Sequence, residues 1–360
     1  MVSRLPSALG LAMVLAVGVS PAENRVQIKM GPSLDVGRQG LLFGSISSVC
    51  EDPQGNFHLL DRKEFKVYEF SADGRVLREF GRKGQGPGDF QSPNRIVFTS
   101  QGELAVLEDL NFVSFFRTDG SFLRRLDLQD RLGLGYIGPN RYYGWVWRPE
   151  DRQQVMVDEK NAVISTFHVQ PREAFSVVLP DETGRAVMFN YVSEFYVPGF
   201  LFDHSRSLSA IGISSLYQLA LLDEDGRTVA VIERDLGPRR ITRRERASLE
   251  RDILEFTAAK GWPGRVGRAL AEKIPKSKNA IRAVRVSPRH VFVFRFAPDI
   301  SRRDAPIPVD LFTRRGEFLG ETELVGIPLL ISDKAMYFVR SDEDGNVFVA
   351  RTEYVLSGIR

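Results

Sequence analysis

Residues 67–77 read VYEFSADGRVL, and the same pattern returns 46 residues later as VSFFRTDGSFL at residues 113–123. In both copies, two apolar runs flank an Asp-Gly pair. Asp-Gly between such runs predicts a β-hairpin, because glycine accepts the positive φ that a type I′ turn demands. The frame recurs around Gly226 and Gly316. The chain therefore repeats in units of about 45 to 53 residues, a period typical of repeat architectures.

A second half-motif precedes the first and completes a four-stranded unit. Residues 49–60, with Gly55 at the turn, realign with residues 96–107 around Gly102. Repeated four-stranded meanders of about 40 to 50 residues are typical of β-propeller blades. The sequence therefore predicts an all-β fold, a six-bladed β-propeller, in preference to a solenoid of stacked β-units. Residues 26–30 are a candidate closing strand for the last blade. The predicted blades are residues 46–80, 93–127, 135–180, 186–235, 281–323 and 326–358.

Residues 241–278 interrupt the strand pattern with helical signals. Thr242 and Glu245 form a capping box, in which each side chain satisfies an unpaired amide at the helix start. A second short helix is predicted from Pro263 to Lys273. Neither helix can bury its apolar face alone, so we expect a helical insertion that docks on the propeller. The residues predicted to share the docking face of the first helix are Leu249, Ile253 and Phe256.

The N-terminus has the features of a signal peptide. Arg4 supplies a positive n-region, residues 9–19 form an apolar run of h-region length, and small residues precede Glu23. We therefore expect residues 1–22 to be a cleaved signal peptide and residues 23–360 to form the propeller with its insertion. A periplasmic or secreted location follows. No later stretch is apolar enough for a transmembrane helix.

Charge is nearly balanced overall but unevenly distributed. The net charge is +3, yet thirteen Lys or Arg residues stand against six Asp or Glu residues between Arg234 and Lys278. The segment Arg239–Arg246 is a candidate contact for an anionic surface, and a simple solvated helix is the alternative. No nucleic-acid partner is predicted. The single cysteine, Cys50, excludes an intrachain disulfide and is expected to be buried and inert.

The segment FGRKGQGPGDF at residues 80–90, followed by Ser92-Pro93 and a strand, resembles the blade junction of NHL-like propellers. From about residue 44 to residue 357, the chain is similar to the bacterial six-bladed β-propeller family of exported proteins. That resemblance implies the fold and export, and it implies no particular chemistry. Residues 135–210 match the family pattern poorly, and Arg315 replaces the usual acidic turn residue in one copy.

Motifs that would carry chemistry are weak in this chain. The glycines of residues 81–88 lead into Pro93 and a strand, whereas a phosphate-binding loop must lead into a helix N-terminus. No GxSxG elbow is present. The histidines lack the local spacing of a zinc site, so no cofactor and no metal ligand set are predicted. A metal held by residues from distant blades remains an open alternative. The four histidines are His58, His168, His204 and His290.

Topology suggests where a binding site would lie. In a four-stranded meander (strands A to D), the B–C loops and the D-to-A junctions share one face of the ring, and binding residues concentrate on loops held by a rigid scaffold. An alternating aromatic run, with Tyr143, Trp145 and Trp147 on one side, is a second candidate, as a stacking platform for a sugar or peptide. The predicted partner-binding residues on the loop face are Arg62, Lys63, Arg82, Lys83, Asp109 and Asn111.

Two classes of function remain open at the level of sequence. The favoured class is a binding or protein-interaction module of the cell envelope that takes a protein, peptide or glycan ligand. The alternative is a propeller hydrolase or lyase, similar to lactonases, which would use a metal in the central channel. That alternative needs inward-facing Asp, Glu, Asn or His residues at the starts of several blades. The recognisable first strands, residues 48–50 and 95–97, show few of them.

Overall fold

The structure is a computed structural model, which describes most of the chain outside the predicted signal peptide. Residues 1–22 lie outside the described residues. No helix in the described part of the chain is long and apolar enough to cross a membrane. The described residues are 25–37, 40–109, 111–129, 132–148, 150–171, 176–180, 183–190, 199–236, 239–296 and 305–359.

Within these residues, the strands form six four-stranded antiparallel sheets and one separate hairpin. The first strand, β1 (Gln27–Val36), belongs to the last sheet. Blade one consists of β2 (Ile46–Glu51), β3 (Phe57–Asp61), β4 (Lys66–Phe70) and β5 (Val76–Phe80). Blade two consists of β6 (Pro93–Phe98), β7 (Leu104–Glu108), β8 (Phe112–Phe116) and β9 (Phe122–Asp127). Blade three consists of β10 (Leu132–Gly138), β11 (Arg141–Trp147), β12 (Asp151–Val157) and β13 (Val163–Pro171).

The second half of the ring repeats this arrangement after the separate hairpin, β14 (Ser176–Pro180) and β15 (Ala186–Asn190). Blade four consists of β16 (Phe200–Ser205), β17 (Leu208–Ile213), β18 (Gln218–Leu222) and β19 (Thr228–Glu233). Blade five consists of β20 (Ile281–Val286), β21 (His290–Arg295), β22 (Ile307–Thr313) and β23 (Phe318–Leu324). Blade six consists of β24 (Leu330–Ile331), β25 (Ala335–Ser341), β26 (Val347–Ser357) and β1. The predicted all-β six-bladed propeller is confirmed.

The ring closes through the N-terminal strand. β1 pairs antiparallel with β26, from Gln27 opposite Ser357 to Val36 opposite Val349. The candidate closing strand at residues 26–30 is therefore real, and it is longer than the sequence suggested. Each pair of neighbouring blades shares one buried apolar cluster, including the pair formed by blades six and one. Because the outermost strand of blade six precedes blade one in the chain, this pairing joins the two ends of the ring.

The borders of blades three and four differ from the prediction. Residues 176–180 and 186–190 were expected to end one blade and to begin the next. They instead pair with each other as the hairpin β14–β15, which forms a two-stranded sheet of its own. Val177 of this hairpin is buried with apolar residues of the insertion. Sequence patterning missed this arrangement because a strand shows the same alternation whichever element covers its apolar face.

The helical insertion is observed where it was predicted. α1 (Arg243–Ala259) begins at Thr242, whose Oγ1 accepts a hydrogen bond from the Glu245 amide, while Glu245 Oε2 accepts one from the Thr242 amide. α2 (Gly264–Glu272) follows. Within the described ranges, α1 does not dock on a four-stranded blade as expected: Leu249 and Ile253 pack with α2 and with the hairpin β14–β15, and Phe256 is only half-buried. The buried members of that cluster are Val177, Leu249, Ile253, Val266, Leu270 and Ile274.

Candidate functional site

The B–C loops and the D-to-A junctions meet at one end of the blades, which we call the junction face. In blade one, the Arg62 amide donates to the Ser45 carbonyl at 2.8 Å, and in blade two the Asp109 amide donates to the Ser92 carbonyl at 2.9 Å. Each bond joins a B–C loop to the segment that enters the first strand of the same blade. The helices and the hairpin β14–β15 belong to D-to-A connections, so they extend from this same face.

Buried carboxylates hold these loops in place. Asp61, at the end of β3, is fully buried, and its oxygens accept hydrogen bonds from four backbone amides. Glu108, at the end of β7, accepts hydrogen bonds from the amides of Gln91 and Ser92. Because an ionised carboxylate is a strong acceptor for several amides, each one fixes a loop beside its blade. The amides bonded to Asp61 belong to Gly44, Ser45, Lys63 and Glu64.

Two of the predicted partner-binding residues form an ion pair between neighbouring blades. Arg62 Nη2 lies 3.0 Å from Asp109 Oδ2, and Asn94 Nδ2 donates to the other carboxylate oxygen at 2.8 Å. The Arg62 side chain keeps 49% of its surface exposed. Lys63 is exposed beside it. The structure therefore brings the charged residues of the first two B–C loops into one patch.

The junction between blades one and two supplies the next pair of predicted residues. Arg82 is 80% exposed, and its Nε donates to Asp89 Oδ1 at 2.7 Å, which holds the pKa of that carboxyl below its usual range. Lys83 Nζ lies 5.5 Å from the ring centre of Phe65, a residue of the first B–C loop. The B–C loop and the junction are thus in direct contact.

The glycine-rich junction folds on itself and does not form an anion cradle. The Phe90 amide donates to the Arg82 carbonyl at 2.8 Å, and the Gly84 amide donates back to the Phe90 carbonyl at 3.0 Å. Gly81 has φ of 90°, and a Cβ there would lie 2.2 Å from the Phe90 ring, so only glycine fits. The amides of Gly84, Gly86, Asp89 and Phe90 are therefore used within the junction, in agreement with the interpretation of this segment as a blade junction.

The backbone of Asn111 has a structural role in its own blade. Asn111 adopts φ of 74°, a conformation that asparagine tolerates better than most residues, and its carbonyl accepts a bond from the Leu128 amide. Tyr143 is buried, and its ring stacks on Phe202 with the centroids 4.5 Å apart. The predicted stacking platform is therefore wrong at Tyr143, because packing against Phe202 of blade four already covers its ring. The Trp147 side chain lies outside the described residues.

The central channel contains a cluster of three charged side chains that sequence patterning missed. Arg95 on β6, Asp203 on β16 and Arg285 on β20 come from the first strands of three blades. Arg95 Nη1 lies 3.8 Å from Asp203 Oδ1, and the Val286 amide donates to Asp203 Oδ2 at 2.7 Å. Burial raises the pKa of Asp203, although Arg285 and Arg95 oppose that shift. In a single sequence, each residue is one isolated charge in a strand.

The histidines are dispersed among the blades. His58 is buried against Phe98, and burial lowers its pKa to about 4. Burial similarly lowers the pKa of His204 to about 3. Across the described ranges, no group of three or more His, Cys, Asp or Glu side chains is placed to hold a metal ion.

Cys50 is buried and unpaired, and burial raises the pKa of its thiol, as expected for an inert cysteine.

A cavity of about 460 Å³ opens at the junction face between blades four and five. Its wall combines the B–C loop of blade four, both ends of the insertion and Arg295 at the end of β21. Arg239, at one edge of the predicted cationic segment, lines it, whereas Arg246 is tied to the insertion by bonds to the carbonyls of Ile274 and Pro275. Sequence reasoning did not find this cavity.

Comparisons with known proteins agree with the observed architecture. Residues 38–198 match the profile of a family described as a 6-bladed β-propeller. A Bacteroides fragilis protein provisionally assigned as exported aligns over 94% of this chain and 98% of its own, at 11% identity and a TM-score of 0.52. A Bacteroides vulgatus member of the duf4221 family covers 93% of this chain and 99% of its own, at 11% identity and a TM-score of 0.51. The predicted resemblance to six-bladed β-propeller proteins is confirmed.

A third solved structure is more distant. A virginiamycin B lyase from Staphylococcus aureus covers 92% of this chain and 100% of its own, at 7% identity and a TM-score of 0.42, which is too low to support an argument about this chain. The comparison with curated proteins returned no match.

Proposed function

We propose that this six-bladed β-propeller is a binding or protein-interaction module of the cell envelope, periplasmic or secreted after removal of residues 1–22. Its partner is a protein, a peptide or a glycan. The observation that carries the proposal is the exposed charged patch on the junction face of blades one and two, which we call the recognition patch. Its residues are the exposed Arg62, Lys63, Arg82 and Lys83, together with the partly buried Asp109 and Asn111.

The recognition patch is held in a fixed geometry before any partner arrives. Asp61 and Glu108 tie the loops to buried strands through several backbone bonds each. Ordering a loop and its side chains costs free energy on binding, and a loop that is already ordered avoids most of that cost. Exposed charges on such loops favour association through electrostatic attraction.

The opposite face of the ring is formed by hairpin turns. It carries short turns such as Asp73-Gly74 and Asp119-Gly120, in which the carboxylates bond to residues of the same turn. Gly74 and Gly120 adopt φ of 84° and 82°. These turns are built for hairpin closure, so the opposite face serves as an internal control.

Charge reversal of the recognition patch tests the proposal. We expect the Arg82→Glu/Lys83→Glu variant to lose capture of envelope partners while it stays folded. Its melting temperature should fall only slightly, because the Arg82–Asp89 pair that it breaks has an exposed arginine, and such pairs contribute no more than about 1 kcal/mol. The measurement is a quantitative pull-down from envelope extract, together with a thermal melt.

The matched control is the Arg75→Glu/Arg117→Glu variant, which changes charge equally on the opposite face, where both side chains are exposed. It is expected to retain the partners. Equal recovery by the wild type and the Arg82→Glu/Lys83→Glu variant would remove the recognition patch from consideration. The segment Arg239–Arg246, as a contact for an anionic surface, would then be the next candidate.

A further inference from the structure

The cavity opens on the same junction face as the recognition patch, but it lies between blades four and five, across the ring from blades one and two. Its volume of about 460 Å³ falls within the range of roughly 300–1,000 Å³ that is typical of small-molecule sites. Leu216 and Leu236 contribute apolar surface to the wall, and Ser277 and Asn279 contribute hydroxyl and amide groups from the returning end of the insertion. The cavity therefore has room for a small organic molecule with both apolar and polar parts.

Two arginines of the cavity wall, Arg234 and Arg295, form ion pairs with Asp310 and Glu321. Asp310 is fully buried, and its Oδ1 lies 2.9 Å from Arg234 Nη1 and 3.1 Å from Arg295 Nη2. Glu321 accepts from Arg234 Nη2 at 2.8 Å and from Arg295 Nη2, the nitrogen that also contacts Asp310, at 3.0 Å. The Tyr217 hydroxyl donates to the second oxygen of Asp310. Two guanidinium groups of the wall are thus fixed by Asp310 and Glu321, which do not line the cavity, and Asp310 is held in turn by Tyr217, which does.

Arg239 differs from the other cations of the wall in having no carboxylate partner in the described part of the chain. Among the described residues, no carboxylate lies within ion-pair distance of Arg239, whose Nη1 donates to the Phe296 carbonyl at 3.2 Å. Burial lowers the pKa of Arg239, and the nearby charge of Arg295 lowers it further. Lys278, also in the wall, is already paired with buried Glu245 at 2.6 Å. The acidic residue of the lining, Asp235, is exposed at the rim.

A second observation also indicates a missing acceptor. Arg295 is only 6% exposed, and its buried Nε has no hydrogen-bond partner in the part of the chain that the structure describes. A buried donor without a hydrogen-bond partner is energetically unfavourable, because it has lost its bond to water and gained none in return. An acceptor atom supplied by a ligand would recover that free energy, and a negative charge would also balance Arg239.

We propose that this cavity binds a small organic monocarboxylate, with its carboxylate group against Arg239 and Arg295 and its apolar part against Leu216 and Leu236. A single negative charge matches the one uncompensated arginine. A dianion such as phosphate would face Asp310 and Glu321 behind the wall and Asp235 at the rim. This site is separate from the recognition patch and does not depend on the function proposed for it.

Benzoate and its neutral analogue benzamide are the probes that test this assignment. Binding to the full mature chain is measured by titration calorimetry at constant ionic strength. We expect saturable binding of benzoate, binding of benzamide at least tenfold weaker, and weaker binding of inorganic phosphate than of benzoate. The Arg239→Gln variant is expected to bind benzoate at least tenfold more weakly, and Arg239→Lys to fall between the variant and the wild type.

Arg240→Gln is the matched control, because it removes the same charge from the adjacent residue, which does not line this cavity. It should bind benzoate like the wild type, as should the Arg82→Glu/Lys83→Glu variant. The proposal is overturned if benzoate does not bind saturably, if benzamide or phosphate binds as well as benzoate, or if folded Arg239→Gln binds benzoate normally. N-acetylphenylalanine and its amide then distinguish a free acid from a peptide C-terminus as the source of the carboxylate.

Discussion

At the scale of single residues, burial decides which charged side chains act in structure and which are available for binding. Asp61 ends β3 and Asp109 follows β7, the equivalent strand of blade two, yet Asp61 is fully buried and bonded to amides, whereas Asp109 remains 31% exposed beside Arg62. The same distinction separates buried Glu108 from its neighbour Asp109 in blade two. A sequence shows all of these residues as polar loop residues after an apolar strand. Only the contacts assign the first group to the scaffold.

His58 makes stability depend on pH. Burial lowers its pKa to about 4, with Asp52 opposing the shift and Arg78 adding to it. The carboxylate of Glu69 lies 3.8 Å from the His58 ring, and it is paired with Arg78 at 2.6 Å. Below the ordinary histidine pKa of about 6.5, the imidazole of His58 becomes protonated in the unfolded chain, whereas it stays neutral in the folded chain. Stability is therefore expected to fall by about 2 kcal/mol between pH 7 and pH 5 on account of this residue.

Urea unfolding of the wild type and of His58→Gln at pH 7 and pH 5 measures that contribution. The variant lacks the titrating ring, so the stability difference between the two proteins should shift by about 2 kcal/mol in favour of the variant at pH 5. The other histidines are common to both proteins and cancel in the comparison. Parallel pH dependences would show that His58 does not titrate as its burial requires.

At the scale of elements, two distant connections build one small unit on the junction face. α1 and α2 come from the connection between blades four and five, and the hairpin β14–β15 comes from the connection between blades three and four. They share one apolar cluster. The buried ion pair between Glu245 and Lys278 ties the start of α1 to the segment that returns to blade five. Breaking a buried pair on one side typically costs about 3–5 kcal/mol, so this tether fixes the unit beside the cavity.

The shared cluster predicts that the helices and the hairpin unfold together. We expect Ile253→Asp, on α1, and Val177→Asp, on β14, to produce the same new proteolytic cleavages in both the helical and the hairpin segments while the blades stay folded. Burying one such side chain contributes about 1.5–3 kcal/mol. Limited proteolysis followed by mass spectrometry measures the effect.

Ala258→Asp is the control on the same helix, because Ala258 is exposed. Its cleavage pattern should match that of the wild type. Cleavage confined to the helices in Ile253→Asp and to the hairpin in Val177→Asp would indicate two independent units instead of one.

At the scale of the whole molecule, closure of the ring depends on strand pairing between the two ends of the chain. β1 covers β26 over most of its length, and Val26 belongs to the cluster shared by blades five and six. Val36 belongs to the cluster shared by blades six and one. The N-terminal segment therefore contributes to two apolar clusters, the one between blades five and six and the one between blades six and one.

Removal of residues 23–36 is expected to destabilise the whole ring, because it exposes the edge of β26 and opens two apolar clusters. An unpaired strand edge also promotes association between chains. The measurement is the melting temperature together with light scattering of the shortened chain. A synthetic peptide of residues 25–37 added to that chain should restore stability, whereas a scrambled peptide should not. An unchanged melting temperature would show that the ring does not depend on this strand.

Local sequence patterns by themselves determined the repeat, the hairpin turns, the capping box at Thr242 and the number of blades, because each depends on residues close together in the chain. Tertiary structure alone decided the rest. The cavity unites Tyr217, Arg239 and Arg295 from separate parts of the chain, and its fixed arginines depend on Asp310, 93 residues beyond Tyr217. The pairing of β14 with β15, and their packing on the helices, likewise depends on which apolar surfaces meet. Strand alternation records that a face is buried, but the identity of the covering element depends on the path of the whole chain.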